Sequence, residues 1–197
     1  MDETPVAGVD EVGRGALFGP VVAAAVILQS SEADHLKALG VKDSKQLSLR
    51  QREALEAQIR AVATSCAVGM ASVHEIDRIN ILQAALLAMG RAVERLEPQP
   101  TLCLVDGNQP IPGLEIEQRT VVKGDQTELA IAAASIVAKV WRDRLIIRLA
   151  ERYPGYDLAS NKGYGSKKHR SAILQLGPTR QHRRSFKGCQ LSLPLDG

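Results

Sequence analysis

The chain has 197 residues and a net charge of +3; 45% of the residues are hydrophobic and 24% charged, which is typical of one globular domain with a sizeable core. No apolar run approaches the ~20 residues that cross a bilayer, no secretory leader is readable, and the three cysteines lack a metal-type spacing. These features exclude a membrane-spanning helix and a cysteine-ligated metal centre. They predict a reduced, cytoplasmic protein without a membrane partner, which we expect to be a monomer.

Strands and helices alternate along the first three quarters of the chain. Apolar runs bounded by glycine, proline or aspartate predict strands over residues 6–9, 21–28, 66–71, 101–105 and 116–122. Capping-box sequences and apolar residues at helical spacing predict helices over residues 49–62, 72–96 and 126–152. Asn80 and Gly90 are candidate breaks in the second helix. This order predicts the α/β class, with a central mixed β-sheet flanked by helices, and leaves the strand order open.

The segment of about 154–197 differs in composition from the rest of the chain and forms the end of a single predicted domain, 1–197. It is rich in proline and glycine, so we predict a small extension of loops and short helices. Residues 160–188 contain eight Lys and Arg and no acidic residue, whereas residues 1–159 contain 17 basic and 21 acidic residues. A basic flank beside an acidic body indicates a polyanionic partner, although a solvated charged surface is the alternative.

Four acidic residues stand where predicted strands end: Asp10, Glu11, Asp106 and Asp125. Sites in α/β sheets collect at the carboxyl ends of strands, and no Ser-His-Asp triad or Cys-His pair is readable. Clustered carboxylates prefer Mg²⁺ or Mn²⁺, and two such ions ~3.5–4 Å apart can clamp the attacking water and the leaving oxygen of a phosphodiester. Taken singly, each acid is also a common turn former or helix cap.

Two geometric questions accompany this metal-site hypothesis. Neighbours on a regular strand point to opposite faces, so Asp10 and Glu11 can share a site only if the strand ends or bulges there. Asp143 competes with Asp125; on one straight helix the two would face the same side, roughly 27 Å apart, so only one could reach Asp106. We choose Asp125 because it directly follows a strand, and we expect Asp143 to form a surface ion pair with a neighbouring arginine.

Six sequence blocks occur in an order that resembles the ribonuclease HII family, the type 2 ribonucleases H. They are AGVDEVGRG at 7–15, DSKQLS at 43–48, VDG at 105–107, KGD at 123–125, AASIVAK at 133–139 and KGY at 162–164. The resemblance implies an RNase H-like fold and an endonuclease that hydrolyses the RNA strand of RNA–DNA hybrids. It further implies cleavage at single ribonucleotides in duplex DNA, on their 5′ side, leaving 3′-hydroxyl and 5′-phosphate ends by two-metal-ion catalysis.

The resemblance also assigns roles to individual residues. Asp10, Glu11, Asp106 and Asp125 would bind Mn²⁺ or Mg²⁺. The Gly13, Arg14 and Gly15 turn would recognise the ribose 2′-hydroxyl, the group that separates RNA from DNA. Tyr164 would stack beside the sugar of the following deoxynucleotide. The predicted phosphate-binding residues are Ser44, Lys45, Ser135 and Lys139.

Each of these residues has a simpler reading. Gly13 and Gly15 could be turn glycines, Arg14 could pair with a local acid, the lysines could be solvent-exposed, and Tyr164 could pack under a loop. The whole chain could instead be an inert nucleic-acid-binding module that uses residues 160–188, or another nuclease or recombinase of the same fold. Four candidate carboxylates facing a polyanion argue against the first alternative, and the glycine turn with Tyr164 argues against the second.

The last residues suggest a second kind of partner. Gln190–Leu195 reads QLSLPL, which resembles the Q-L-x-L-x-L peptide that docks bacterial repair proteins on the sliding clamp. A glutamine for a polar subsite and spaced leucines for an apolar groove fit that mode of recognition. The alternative is that these leucines fold back onto the core.

Overall fold

The computed structural model describes residues 4–41 and 48–190. Its strands are β1 Val6–Val12, β2 Val21–Ile27, β3 Ser65–Ala71, β4 Leu102–Asp106 and β5 Glu117–Val121. Its helices are α1 Ser30–Ala38, α2 Leu49–Val62, α3 Val73–Val93, α4 Gly124–Thr127, α5 Leu129–Arg152, α6 Leu158–Asn161 and α7 Lys167–Leu176. A 3₁₀ turn at Lys187–Cys189 follows.

The strands form one mixed sheet in the order β3-β2-β1-β4-β5. β1 pairs antiparallel with β2, and β2 with β3, whereas β1 pairs parallel with β4, and β4 with β5. The predicted mixed α/β sheet is therefore confirmed. Because β1 and β4 are parallel neighbours, their carboxyl ends meet at one edge, and the register that pairs Val9 with Val105 brings Asp10 and Asp106 to that edge.

Helices cover both faces of the sheet. α3 packs on one face and contacts alternate strand residues such as Val9 and Ala23, whereas α5, with α2 outside it, packs on the other and contacts Ala24 and Val26. β2 is buried on both faces, which explains its unbroken apolar sequence. Gly8 lets β1 lie directly against the backbone of α5 at Ala130. This close contact places the first turns of α5 beside the end of β1.

Helix α1 differs from the sequence-based expectation, and α3 differs from it in part. α1 was not predicted, because its capping box begins with Gln29 rather than Ser or Thr and the helix buries only Leu36, so its apolar pattern is weak. α3 breaks at Asn80, where φ is 67°, as expected, because the Asn80 side chain caps the amides of Leu82 and Gln83. No break occurs at Gly90, which lies within the regular helix.

The expected single helix over 126–152 is wrong. Glu128 is extended, with φ −106° and ψ 120°, and separates α4 from α5. Its amide closes α4 on the Gly124 carbonyl at 2.8 Å, and its own carbonyl accepts the first bond of α5, from the Ala132 amide at 3.0 Å. Asp125 and Asp143 therefore do not lie on one straight helix.

The segment after Tyr153 folds over the loop between β1 and β2. Isolated β-bridges join Ala16 to Tyr164 and Phe18 to His182. The helical segments predicted for this part of the chain are present as α6 and α7. Among the described residues, no helix combines the length and apolarity needed to cross a membrane.

Candidate metal and substrate site

Three carboxylates meet at the edge where β1 and β4 end. Asp10, Glu11 and Asp106 each offer an oxygen within 4.8 Å of the others. Within residues 4–41 and 48–190 this is the only group of three or more acidic, histidine or cysteine side chains that could hold a metal ion. Oxygen ligands of this kind suit a hard divalent cation such as Mg²⁺ or Mn²⁺.

Asp10 and Glu11 share this site without the expected end or bulge of the strand. On the side that faces β2, β1 continues in regular antiparallel pairing as far as Val12. The expected end or bulge of the strand at Asp10 and Glu11 is therefore wrong on that side. On the other side the pairing with β4 ends at Val9 and Val105. Both acids therefore lie beyond the last β1–β4 pair, at the edge where Asp106 ends β4.

The electrostatics of the cluster favour a bound cation. Burial and the neighbouring Glu11 raise the pKa of Asp10 well above its ordinary value, with a smaller contribution from Asp106, against a lowering hydrogen bond from Ser135. Burial likewise raises the pKa of Glu11, while Arg14 lowers it. Without a cation the clustered carboxylates repel one another, and a divalent ion would remove that cost.

Asp106 is oriented by the block that follows β5. Its Oδ1 accepts the Gly124 amide at 2.7 Å. Asp125 is the next residue, half-buried on α4, but it is not a member of the three-carboxylate group. Its role as a ligand stays a prediction.

Asp143 lies in a different setting from the one expected. It is buried, only 4% exposed, and its Oδ1 pairs with Lys139 Nζ at 2.8 Å. The expected surface pair with an arginine is therefore wrong in both burial and partner. Lys139 and Asp143 are four residues apart on α5, and side chains one turn apart on a helix are neighbours. This spacing explains why Asp143 pairs with Lys139.

The glycine turn lies directly beyond the acids. Gly13 has φ +91°, and a Cβ there would lie 2.2 Å from Arg142 Nε, whereas a Cβ on Gly15 would meet no atom within 4 Å. The half-exposed Arg14 side chain reaches back to Glu11 at 3.3 Å, which is the local ion pair considered as its alternative role. A Cβ at Gly15 would therefore point into open space in the turn that follows Asp10 and Glu11.

Tyr164 lies against this turn through its bridge to Ala16. Tyr164 is 36% exposed, and Lys139 Nζ and Arg142 Cζ lie 5.6 and 5.5 Å from the centroid of its ring. Such distances suit cation–π contacts that hold the ring in place. The ring is therefore available to a ligand next to the glycine turn.

The predicted phosphate-binding residues fall into two groups. Ser135 and Lys139 are on α5; Ser135 hydrogen-bonds Asp10, and Lys139 lies between Asp143 and Tyr164. Ser44 and Lys45 lie outside the described residues. Ser135 therefore contacts the carboxylates, and Lys139, one turn further along α5, contacts Tyr164.

Two buried arginines that the sequence pattern did not reveal hold the loop beneath the site. Arg142 donates to the carbonyls of Phe18, Pro20 and Lys162, and Arg183 to those of Arg14 and Gly19. Both are 0% exposed. Their partners are backbone carbonyls distant in sequence, so no local motif could have marked them.

A family profile and individual relatives match the chain over almost its whole length. The profile described as Ribonuclease HII matches residues 7–189. A protein named Ribonuclease HII from Acaryochloris marina is 70% identical over 191 residues, which are 97% of this chain and 96% of that protein.

Solved structures agree with this match. The ribonuclease H2 of Pyrococcus horikoshii OT3 superposes with a TM-score of 0.79 at 29% identity, over 94% of this chain and 95% of that one. The RNase HII of Archaeoglobus fulgidus, solved in complex with PCNA, gives 0.78 at 28% identity, over 96% and 98%. The predicted RNase H-like fold is therefore confirmed.

Proposed function

Since the chain belongs to the ribonuclease HII family and is an endonuclease acting on RNA paired with DNA, we propose that it also cleaves at single ribonucleotides embedded in duplex DNA. The cut falls on the 5′ side of the ribonucleotide and leaves 3′-hydroxyl and 5′-phosphate ends. The observation that carries this proposal is the placement of the Gly13–Gly15 turn between the carboxylate cluster and the half-exposed Tyr164 ring.

The proposal includes two Mg²⁺ or Mn²⁺ ions, held by Asp10, Glu11 and Asp106, with Asp125 as a further ligand. When bound, such ions supply an activated water and neutralise charge on the leaving oxygen. The chain itself orients the ligands: Ser135 bonds Asp10, and the Gly124 amide bonds Asp106. The short spacing within the carboxylate group and the cost of leaving it unneutralised support this assignment.

Selection of the ribonucleotide rests on the open space at Gly15. Without a Cβ there, a ribose can approach the backbone closely enough for its 2′-hydroxyl to be read by amide and carbonyl groups. Arg14, whose side chain is held near by its pair with Glu11, takes part in the same recognition of the 2′-hydroxyl. Ser135 and Lys139, with Ser44 and Lys45, complete the proposed phosphate contacts.

Replacing Tyr164 by alanine tests the reading of the RNA-to-DNA junction. We expect Tyr164→Ala to lower kcat/KM on a duplex with one ribonucleotide about tenfold more than on a long hybrid, because the ring is proposed to pack on the sugar after the ribonucleotide and each 1.36 kcal/mol of lost transition-state contact is tenfold in rate. Tyr164→Phe, which keeps the ring, is the matched control and should retain the wild-type ratio. Equal losses on both substrates would mean that Tyr164 does not read the junction.

The basic segment 160–188 supplies the proposed contacts to more distant phosphates. Lys167 and Lys168 are exposed at the start of α7, whereas Arg183 is buried and belongs to the loop scaffold instead. Only some of the eight basic side chains in this segment can therefore face a duplex.

We expect Lys167→Ala with Lys168→Ala to flatten the log–log salt dependence of duplex binding, by about 0.9 for each phosphate that is no longer neutralised, without moving the cut. Arg148→Ala with Arg152→Ala is the matched control; it removes the same charge from exposed positions of α5, roughly 20 Å beyond Ser135 along the helix axis. It should leave the slope unchanged. Equal slopes for wild type and the lysine pair would show that these lysines are solvated surface.

The proposal extends to a clamp partner and to the cellular setting. Gln190 is exposed, and residues 191–195 of the clamp-like peptide lie outside the described residues. The Archaeoglobus fulgidus RNase HII solved in complex with PCNA supports a clamp partner. Free Cys66, Cys103 and Cys189 support the proposal of a reduced, cytoplasmic protein, and the monomeric state stays a prediction.

A further inference from the structure

Two buried histidines lie behind Tyr164. His169 and His182 are 0% and 1% exposed, and their Nε2 atoms are 3.1 Å apart. His169 Nδ1 lies 2.9 Å from the Tyr164 carbonyl oxygen, and His182 Nδ1 lies 2.9 Å from the Thr179 amide nitrogen. The four ring nitrogens therefore form one continuous chain from Thr179 to Tyr164.

The direction of every bond in this chain follows from its two ends. The Thr179 amide can only donate, so His182 Nδ1 accepts and the His182 proton is on Nε2. That proton is donated to His169 Nε2, so His169 carries its own proton on Nδ1 and donates it to the Tyr164 carbonyl. This arrangement satisfies all four ring nitrogens only if both rings are neutral.

The surroundings keep both rings neutral. Burial lowers the pKa of His169, against smaller raising effects from its bond to Tyr164 and from Asp157. Burial and the neighbouring His169 lower the pKa of His182 from 6.5 to about 4. Tyr156, whose ring centroid lies 4.8 Å from that of His182, is a further titratable side chain packed on the pair. At neutral pH the chain of bonds is therefore intact.

The pair connects Tyr164 to the loop that carries the glycine turn. His182 bridges Phe18 through its backbone and packs its ring on the Phe18 ring, with centroids 5.0 Å apart. The Tyr164 carbonyl accepts from both His169 Nδ1 and the Ser166 amide, the latter at 2.8 Å. A shift of either histidine would thus change how the Tyr164 backbone lies against that loop.

We propose that His169 and His182 are positioning residues, whose directed hydrogen bonds fix the backbone of Tyr164 and thereby the angle at which its ring meets the nucleotide after the ribonucleotide. This inference rests on the proposed junction-reading role of Tyr164. Neither histidine touches substrate; both act through Tyr164. A purely space-filling pair would contribute to stability but not to the choice between substrates.

Two substitutions at His169 separate these roles. Asparagine can place its side-chain NH₂ near the position of Nδ1 and keep the bond to Tyr164, whereas glutamine places its amide near Nε2 and loses that bond. We expect His169→Gln to lower the ratio of kcat/KM on the single-ribonucleotide duplex to that on a long hybrid about fivefold, the effect of one hydrogen bond of ~1 kcal/mol. His169→Asn should keep the ratio within about twofold of wild type.

The decisive measurement repeats His169→Gln in the Tyr164→Ala background. A residue that acts through Tyr164 has no further effect on the ratio there, so the two changes should be non-additive. An equal drop in both backgrounds, or an unchanged ratio in a folded His169→Gln variant, would overturn the proposal. If Tyr164→Ala alone leaves the ratio unchanged, the junction-reading function itself fails, and the positioning role fails with it.

A measurement on the unmodified protein remains decisive if the variants do not fold. Nitrogen-15 NMR of the imidazoles at pH 7 should show His169 protonated on Nδ1 and His182 on Nε2. The opposite tautomers, or a doubly protonated ring in either residue, would contradict the chain of bonds and overturn the inference.

Discussion

Asp10→Asn or Asp106→Asn is expected to lower kcat/KM on an RNA–DNA hybrid by at least about a thousandfold, because a metal-held transition state loses several kcal/mol and each 1.36 kcal/mol is tenfold in rate. Both residues belong to the three-carboxylate group at the edge of the sheet. The measurement is steady-state cleavage in Mg²⁺ and in Mn²⁺, with the melting temperature of each variant recorded beside it.

The same variants should remain folded. An asparagine Oδ1 can still accept the Glu11 amide at position 10 and the Gly124 amide at position 106, which are 2.7 Å bonds in both cases. The change at position 10 also removes a carboxylate whose pKa is raised by burial and by Glu11, and the change at position 106 removes a smaller source of the same repulsion. We therefore expect the metal-free melting temperature to be unchanged or higher, while the rise produced by added Mg²⁺ or Mn²⁺ is lost.

The variants Asp125→Asn and Asp143→Asn test which of these two residues is the fourth acid of the site. Asp125→Asn should also cripple cleavage, whereas Asp143→Asn should cause a milder loss, because Asp143 is paired with Lys139 and lies outside the carboxylate group. Normal turnover in Asp125→Asn together with an inactive Asp143→Asn would reverse the assignment of the fourth acid. A metal-dependent rise in melting temperature that survives in Asp10→Asn would contradict the ligand assignment itself.

The sequence could predict that Asp10 and Asp106 stand at strand ends, because that position depends on a local pattern. A strand that ends in a carboxylate is readable from apolar periodicity, and parallel pairing of β1 with β4 then brings Asp10 and Asp106 together. The register was not readable, since it depends on pairing between segments about 96 residues apart. This is why the sharing of one site by Asp10 and Glu11 could not be derived beforehand.

The burial of Arg142 and Arg183 could not be predicted from the sequence. Arg142 and Arg183 look like surface arginines in the sequence, and Arg183 falls within the segment expected to hold phosphates. Most of their partners are carbonyls of the loop after β1, 122 and 164 residues away for the bonds to Pro20 and Gly19, and Arg142 also donates to the Lys162 carbonyl. Burying an arginine is costly unless acceptors such as these pair with it, and the positions of backbone carbonyls cannot be read from residue types.

Gly8→Ala is expected to lower the melting temperature by several degrees, up to about 12 °C. The added Cβ would lie 2.1 Å from the Ala130 carbonyl carbon and 2.3 Å from the Ile131 nitrogen, both backbone atoms of α5. Overpacking of a core costs ~1–3 kcal/mol, and more where backbone must move; each kcal/mol lowers the melting temperature by ~2–4 °C in a chain of this size. Thermal unfolding followed by circular dichroism measures the change.

The strand cannot easily move to relieve this clash. Gly8 is paired with Val26 on one side and Leu104 on the other, so a shift of β1 would break ladders with both neighbours. The strain must therefore displace α5, which carries Ser135 and its bond to Asp10. We expect the variant to lose cleavage activity along with stability, even at temperatures where it remains folded.

Gly15→Ala is the matched control, since it adds the same methyl group where no atom lies within 4 Å. Its melting temperature should stay within about 2 °C of wild type, as for a surface substitution within ±0.5 kcal/mol. Its cleavage should nevertheless fall, because the methyl group occupies the space through which a ribose approaches the backbone.

The two glycine variants are then expected to lose activity for different reasons. Gly8→Ala disturbs the contact between sheet and helix, whereas Gly15→Ala obstructs the substrate. A stable, fully active Gly8→Ala variant would show that α5 is free to move away from β1, and that the position of Ser135 beside Asp10 does not depend on that contact.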